Sequence, residues 1–423
     1  MSLLLIILML VAILFGTPIT FALGIASLAF FIACGIPLEA FVQRLAVGVN
    51  SFPLLAVPFF ILAGNLMNSG GITKRIFKFA NSLVGHIQGG LGHVNVLSSM
   101  IFAGMSGSAI ADAAGLGNIE IKAMTEAGFD LEFSVSVTAA SAVIGPIIPP
   151  STIMIIYGIT AGVSVGALFM GGIIPGILMG LALMALVYFY SLKSGSYPKS
   201  DKFILKEVFI RFWEAFPALL APFIIIGGIL GGVFTPTEAG AVAAFYALTI
   251  SFFYKEIKIR DLPKILFETA FTSGVVLFIV STASIFGWCL SFERTPQLVA
   301  TFMSSITTSK TLLMLMLTVV YLFLGMIMEA AAIVITTVPI IVPVLNALGI
   351  NLVFFGVIIS ILMSIGTITP PVGTVMFILC KITGLSIESY TKSIIPWFLV
   401  LTGIVILLIF IPQLILFIPD LVK

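Results

Sequence analysis

The chain has 423 residues, of which 60% are hydrophobic and only 9% are charged. Soluble globular proteins carry about 25% charged residues, so this composition excludes a soluble fold and predicts an all-α polytopic membrane protein. The net charge is only +2 and the basic residues are scattered, which argues against a nucleic-acid partner. The three cysteines (Cys34, Cys289, Cys380) lie far apart in apolar segments, where they are expected to be small buried side chains.

Two short spans are predicted at the start of the chain. Residues 3–34 are too long for one span of about 20 residues, and Gly16-Thr17-Pro18 interrupts them. No basic segment precedes them and no A-x-A-like cleavage site follows, so we expect a retained span rather than a cleaved signal. A third span is predicted at about 52–70, before a basic cluster at 74–78.

Residues 92–125 are predicted to form a re-entrant hairpin. This segment is rich in Gly, Ala and Ser, and the run from Gly104 to Asp112 reads GMSGSAIAD at its centre. Two half-length helices meeting at such a tip would enter and leave the membrane by the same face. A helix N-terminus at the tip would favour anions, and an intramembrane carboxylate such as Asp112 is costly and by default functional. Alternatively, Ser108 and Asp112 only cap the returning helix.

A broken helix is predicted next, over residues 131–165. It contains Gly145-Pro146-Ile147-Ile148-Pro149-Pro150, and prolines inside a helix remove a backbone donor and clash with the preceding turn. In a membrane, such a break is tolerated only where it is buried in protein or lines a polar cavity. One further span is predicted at about 169–190.

The second half of the chain repeats the first. Gly104 and Gly325, Gly145 and Gly366, and Pro149 and Pro370 are each 221 residues apart. We therefore predict one repeat over 1–190, a cytoplasmic linker over 191–213 and a second repeat over 214–423. The second repeat is predicted to contain spans at about 215–233, 238–254 and 270–290, a hairpin at 312–348, a broken helix at 352–385 and a last span at 393–417. An interfacial helix is expected at 258–268, where charged and apolar residues alternate.

Each repeat has five predicted crossings, an odd number, so the second repeat is expected to be inverted in the membrane. With the N-terminus outside, fifteen of the nineteen basic residues fall on the inner side, as the positive-inside rule requires. They lie at 74–78, 122, 193–211, 255–264 and 381–392. The outer side holds Arg44, Arg294, Lys310 and Lys423, and both termini are predicted to be outside.

Two glutamates have different predicted roles. Glu329, at the second hairpin tip, lies where the repeat spacing places Ser108, so we expect it to be functional, although a buried acid at a helix start is the alternative. Glu238 ends the sequence Thr235-Pro236-Thr237-Glu238, the pattern of a capping box with proline at the first helical position. Its predicted role is structural.

Matching breaks in two halves of a membrane protein indicate the binding site of a secondary transporter. Freed carbonyl groups and hydroxyl oxygens suit Na⁺, so one ion site is predicted between each hairpin tip and the break of its own repeat. A structural hinge without an ion is the alternative. The first predicted site comprises Ser106, Gly107, Gly145 and Pro149, and the second Gly325, Gly366, Thr367 and Thr369. The chain has no GxSxG, HExxH or Walker A sequence, so we predict that it is not an enzyme and does not use ATP. Transport is therefore expected to be coupled to an ion gradient.

These sequence segments, taken in the order in which they occur, resemble those of the large membrane subunit of tripartite ATP-independent periplasmic (TRAP) transporters, of the DctM/SiaM type. The similar segments, which span nearly the whole chain, are 106–112, 145–151, 232–240, 325–329 and 369–373. The resemblance implies a Na⁺-driven elevator, in which hairpins and broken helices slide against a scaffold in a bacterial or archaeal inner membrane. It also implies a separate small four-helix membrane subunit and a periplasmic substrate-binding protein that delivers an organic anion.

By the same resemblance, Ser106, Ser108, Asp112, Ser151 and Glu329 would contact ion and substrate. C4-dicarboxylates, sialic acid and similar carboxylates are the implied substrates. No intramembrane arginine is predicted to hold a carboxylate, so Na⁺, helix ends and hydroxyls would balance the substrate charge. The nearest alternative is a stand-alone Na⁺/carboxylate symporter of the divalent-anion type, and a more distant one is an intramembrane enzyme or a channel.

Overall fold

The computed structural model describes residues 1–194, 197–198 and 203–422, and these residues form helices and connecting turns. Lys199, Lys202 and Lys423, which the predicted topology counts, lie outside the described residues. The first half contains α1 (Ser2–Leu14), α2 (Ile19–Ala33), α3 (Leu38–Val49), α4 (Ala56–Ser69), α5 (Ile72–Val84), α6 (Gly90–Ser106), α7 (Ala109–Gly115), α8 (Gly117–Glu126), α9 (Leu131–Ala142), α10 (Thr152–Ala161) and α11 (Val165–Ser194). The second half contains α12 (Leu205–Leu230), α13 (Pro236–Phe253), α14 (Leu262–Phe292), α15 (Thr295–Ile306), α16 (Lys310–Ile327), α17 (Ala330–Ala347), α18 (Leu352–Gly366), α19 (Thr374–Thr383), α20 (Ile387–Phe410) and α21 (Gln413–Leu421).

Seven helical segments among the described residues are long and apolar enough to cross a membrane. Shorter apolar helices occur at the chain start, directly after the first predicted break and on both sides of the second. These are the places where the sequence predicts half-length helices, so the all-α polytopic architecture is confirmed.

The predicted breaks and tips lie between helices. α9 ends at Ala142 and α10 begins at Thr152, so the Gly-Pro-Pro segment between them is not helical. Likewise, α18 ends at Gly366 and α19 begins at Thr374. α6 and α7 meet at Gly107-Ser108, and α16 and α17 meet at Met328-Glu329.

Three predicted segments differ from the observed helices. The predicted 191–213 linker is partly helical, because α11 extends to Ser194 and α12 begins at Leu205. Arg211 supports this first part of α12 by pairing with Glu207 at 3.7 Å and Glu214 at 2.9 Å. The expected interfacial helix at 258–268 is not separate, since α14 runs unbroken through the following span. The last predicted span is divided into α20 and α21, with Pro412 at the division.

Helices α3, α5 and α15 were not predicted. In these helices polar residues are interspersed with apolar ones, so none of them forms the continuous apolar run that indicates a span. Helix α3 packs on α14 and α5 packs on α6 and α12. They connect longer helices and pack against them.

The two broken helices are fastened together in the core. The hydroxyl of Tyr157, in α10, donates to the carbonyl oxygen of Leu352 at 2.7 Å, at the start of α18. The hydroxyl of Tyr390, in α20, donates to the Ile368 carbonyl in the second break at 2.9 Å. Both tyrosine side chains are fully buried, where such bonds satisfy a polar group that would otherwise be costly. The first bond joins the two broken helices, and the second ties the second break to α20.

Candidate substrate and ion site

Both tips and both breaks meet around one cavity of about 180 Å³. The first half of the chain lines it with Ser108, Ala109, Ile110, Pro146, Thr152 and Ile153. The second half lines it with Gly325, Met328, Glu329, Ala330, Met363, Gly366, Thr367, Val372, Gly373 and Thr374. Segments that are up to 266 residues apart in sequence, from Ser108 to Thr374, therefore share one small chamber.

The first tip is built by a glycine and a capping serine. Gly107 ends α6 with φ of 61°, in the left-handed region that glycine adopts without strain. Ser108 follows in an extended conformation, and its side chain accepts a hydrogen bond from the amide of Ala111 at 3.4 Å. Ser108 thus caps α7 and also faces the cavity, so its two predicted roles are compatible.

The first tip presses directly on the first break. A Cβ atom on Gly107 would lie 2.4 Å from the carbonyl oxygen of Pro150, and one on Gly145 would lie 3.2 Å from that of Ser108. The hydroxyl of Thr152 also donates to the Gly107 carbonyl, at 3.5 Å. A side chain at position 107 would overlap the Pro150 backbone, and one at position 145 would be in unusually tight contact with the Ser108 backbone.

The second tip carries the only charged side chain of the cavity lining. Glu329 precedes α17, and its Oε2 accepts hydrogen bonds from the amides of Ala331 at 3.0 Å and Ala332 at 3.3 Å. The residue is exposed to the cavity. The negative carboxylate is stabilised by the positive end of the helix dipole, and its other oxygen remains available to a ligand.

The second tip contacts the second break through backbone atoms. The amide of Val372 donates to the carbonyl oxygen of Met326 at 3.1 Å. Gly366 packs so closely on Gly325 that a Cβ atom at position 366 would be 2.6 Å from the Gly325 carbonyl oxygen. The predicted residues Gly325, Gly366 and Thr367 all line the cavity.

The residues of the first predicted ion site fit a cation. The Ser106 hydroxyl is buried and has no hydrogen-bond partner among the described residues. Within the same part of the chain, no backbone amide donates to the carbonyl groups of residues 145–150. An unpartnered hydroxyl and unpaired carbonyl oxygens are the ligand atoms that unwound helices offer to Na⁺.

The second predicted site has a comparable set of oxygens. Thr367 Oγ1 donates to the Ser364 carbonyl and Thr369 Oγ1 donates to the Ile365 carbonyl, each at 2.6 Å. Because each hydroxyl hydrogen is already donated to a carbonyl group of α18, only the lone pairs of the hydroxyl oxygen remain for a cation. Thr374 Oγ1 is buried without a partner among the described residues and lines the cavity. This hydroxyl lies outside the predicted set of four residues, although the sequence places it directly after the break.

Asp112 and Ser151 are close in sequence to the cavity but do not line it. The side chain of Ser151 is fully buried and accepts from the amide of Met154 at 3.2 Å, so it caps α10. Asp112 is 1% exposed and turned towards Ser99 on α6. Neither of its carboxyl oxygens has a hydrogen-bond donor among the described residues.

Sequence reasoning missed Glu120, one helix further along. It is fully buried on α8, and both of its oxygens lack donors within the described part of the chain. The same signal that indicated Asp112, a carboxylate inside a segment expected in the membrane, would have found it. The predicted capping box at Glu238 is confirmed, since Thr235 and Glu238 exchange hydrogen bonds of 2.8 and 3.3 Å.

Comparison with known proteins identifies the family. The sequence model described as "Tripartite ATP-independent periplasmic transporter, DctM component" matches residues 6–414. The chain belongs to the DctM family. This is a family of transporter permeases, and the chain is accordingly a multi-pass membrane protein of the TRAP large-subunit type.

Several curated DctM-family relatives are similar over nearly the whole chain. The sialic acid TRAP transporter large permease SiaM of Vibrio cholerae is 43% identical, with 96% of this chain and 95% of the relative covered. The sialic acid TRAP transporter permease SiaT of Haemophilus influenzae is 42% identical, with 96% of this chain and 66% of the relative covered. The C4-dicarboxylate TRAP transporter large permease DctM of Rhodobacter capsulatus is 35% identical, with 96% of each covered.

Solved structures share the fold of this DctM-family chain at low sequence identity. The YdaH transporter of Alcanivorax borkumensis superimposes with a TM-score of 0.66 at 15% identity, and 88% of each chain is covered. MtrF of Neisseria gonorrhoeae gives a TM-score of 0.63 at 14% identity, with 90% of this chain and 85% of that one covered. These similarities concern the fold alone.

Proposed function

We propose that this DctM-family chain is the large membrane subunit of a Na⁺-driven secondary transporter that imports an organic anion. A C4-dicarboxylate, sialic acid or a similar carboxylate is the proposed substrate class, in keeping with the names of the relatives. The observation that carries the proposal is the cavity shared by the two tips and the two breaks. In a secondary transporter, paired broken helices form the binding site at the repeat interface.

The charges of the cavity explain why a cation would accompany the anion. Glu329 is the only charged residue of the lining, so an entering carboxylate would meet a like charge in a medium of low dielectric constant. Such a pair is strongly unfavourable unless a cation lies nearby. Na⁺ bound by Ser106 and the carbonyl groups of 145–150 on one side, and by Thr367, Thr369 and Thr374 on the other, would provide that balance.

The proposal includes an elevator movement. The hairpins and broken helices, together with the span that follows each broken helix, are α6–α11 and α16–α21; they would move as one body against a scaffold of α1–α5 and α12–α15. The second repeat would be inverted relative to the first, with both termini outside. A separate small membrane subunit would complete the scaffold, and a periplasmic binding protein would deliver the anion to the outer face.

Reconstitution tests the proposal. The chain is incorporated into proteoliposomes with and without its small subunit and binding protein, and uptake of radiolabelled malate and sialic acid is measured under an inward Na⁺ gradient. We expect uptake only with all three components and Na⁺. Uptake by this chain alone would instead support the stand-alone Na⁺/carboxylate symporter, and uptake unaffected by replacing Na⁺ with choline would overturn the ion coupling.

A further inference from the structure

A second cavity lies further along the same helices that line the central one. It has a volume of about 370 Å³ and is lined mainly by α3, α10, α14 and α17. On α10, Thr152 and Ile153 line the central cavity, whereas Ile156 and Thr160 line this one. At 1.5 Å per residue, Thr160 lies about 12 Å along the helix from Thr152. We call this second chamber the Arg44 vestibule, after the only charged residue of its lining.

Helix α17 runs in the same way from one chamber to the other. Ala330, in its first turn, lines the central cavity, whereas Ile335 and Pro339 line the vestibule. Helices α10 and α17 pack against each other. Both helices start at the central cavity and lead to the vestibule, which the predicted topology places on the outer side.

Arg44 is held in the vestibule by an aromatic ring and not by an acid. Its guanidinium carbon lies 5.0 Å from the centre of the Trp288 ring. Trp288 is itself fixed by Phe31 at 5.2 Å and Phe292 at 5.3 Å between ring centres. Across the described part of the chain, Arg44 has neither an ion pair nor a hydrogen bond. A stacked guanidinium keeps its five in-plane N–H donors free for a planar oxyanion.

The backbone directly after Arg44 is fixed to α14. The hydroxyl of Ser281 donates to the carbonyl oxygen of Leu45 at 2.8 Å. Gly48 approaches so closely that a Cβ atom there would lie 2.8 Å from the Cβ of Ser284. Ser284, Ser291 and Thr160 add hydroxyl groups to the lining. The cation and its neighbouring hydroxyls are therefore placed in advance, which reduces the entropy lost on binding.

We infer that the Arg44 vestibule is an outer binding site for the carboxylate of the transported organic anion, which Arg44 holds before or after it occupies the central cavity. This inference rests on the proposed function for the identity of the anion. A carboxylate suits the site because guanidinium–carboxylate pairing is bidentate and charge-assisted. The sequence predicts no arginine for this role within the spans, because Arg44 lies on an amphipathic connecting helix.

Protection of a cysteine from modification tests the inference without transport. Cys34, Cys289 and Cys380 are replaced by alanine, Thr160→Cys is introduced, and the membrane complex with its small subunit is placed in nanodiscs in choline buffer without Na⁺. Malate or sialic acid should slow modification by a small charged thiol reagent at least about threefold. Ser164→Cys is the control, since Ser164 is exposed on the turn after α10 but does not line the vestibule.

Variants of the charged residues then show which residue is responsible for the slower modification of Thr160→Cys. Arg44→Gln should abolish the slowing, Arg44→Lys should keep part of it because the charge remains, and Arg294→Gln should leave it unchanged. Slowing that persists in Arg44→Gln, or that is lost in Glu329→Gln instead, would overturn the inference in favour of binding at the central cavity. The inference would also be overturned if neither anion protects, or if the reagent does not reach Thr160→Cys. Because Na⁺ and uptake are absent from the assay, its result is separate from the test of ion-coupled transport.

Discussion

Gly325 and Gly366 bring the second tip and the second break into backbone contact, with only 2.6 Å between the Gly325 carbonyl oxygen and the place where a Cβ atom of residue 366 would stand. The Cα of Gly325 would be 2.8 Å from the same Cβ. Both neighbours are backbone atoms, so no side-chain rotation can relieve the overlap. A methyl group at this position must separate the tip from the break.

Gly366→Ala is therefore expected to reduce Na⁺-driven uptake by at least about tenfold and to lower the free energy of unfolding by about 1–3 kcal/mol, the usual effect of overpacking. Uptake in proteoliposomes and thermal unfolding in detergent measure the two effects. Gly403→Ala is the control, because a Cβ atom there meets no atom within 4 Å. Wild-type uptake by Gly366→Ala would show that the close contact is not needed for transport.

Ser106 and Ser98 provide a matched pair for testing the first ion site. Both hydroxyls are on α6, buried, and without a hydrogen-bond partner among the described residues, but only Ser106 adjoins the tip. Ser106→Ala should raise the Na⁺ concentration for half-maximal uptake about tenfold, equivalent to ~1.4 kcal/mol, because it removes one ligand oxygen. Ser98→Ala should leave it unchanged. Equal shifts in the two variants would indicate a general packing effect and remove Ser106 from the ion site.

The breaks were predictable from sequence because glycine and proline act locally. Pro146, Pro149 and Pro150 keep the segment between α9 and α10 out of a helix whatever surrounds them, and the 221-residue spacing of the tandem prolines transfers the argument to the second half. Helices α3, α5 and α15 were not predictable from apolar runs, because their stability depends on packing one face against neighbours that the sequence does not identify.

The orientation of individual side chains was the part that sequence could not give. Ser108, Ala109 and Ile110 line the cavity, whereas Asp112, on the same short helix, faces α6. That difference depends on the rotation of α7 about its axis, which the backbone of Gly107 and the contact with Pro150 determine. The stacking of Arg44 on Trp288 joins residues 244 positions apart and has no local signal.

The predicted topology can be tested by labelling exposed lysine positions. Lys74 lies on α5 and Lys310 begins α16, and both side chains are exposed. In a cysteine-free background, Lys74→Cys should react with a membrane-impermeant maleimide only after the cytoplasmic side is opened, whereas Lys310→Cys should react in intact cells. Their opposite responses follow from the distribution of basic residues. The reverse pattern would invert the proposed orientation, and labelling of both from one side would contradict the inverted repeat.

Glu329 and Glu238 both accept hydrogen bonds at a helix start, but only Glu329 lines the cavity. Glutamine retains the accepting oxygen, so each substitution preserves the cap and removes the charge. If the Glu329 charge helps to hold the coupling cation beside the anion, Glu329→Gln should lower uptake at least about tenfold. A tenfold change corresponds to ~1.4 kcal/mol of binding free energy. Glu238→Gln should remain within about twofold of the wild type. Uptake at several Na⁺ concentrations, normalised to the amount of protein in the membrane, measures both. A larger loss of uptake in Glu238→Gln would show that the functional charge lies on α13 and not at the cavity. The cavity would then lose its proposed role.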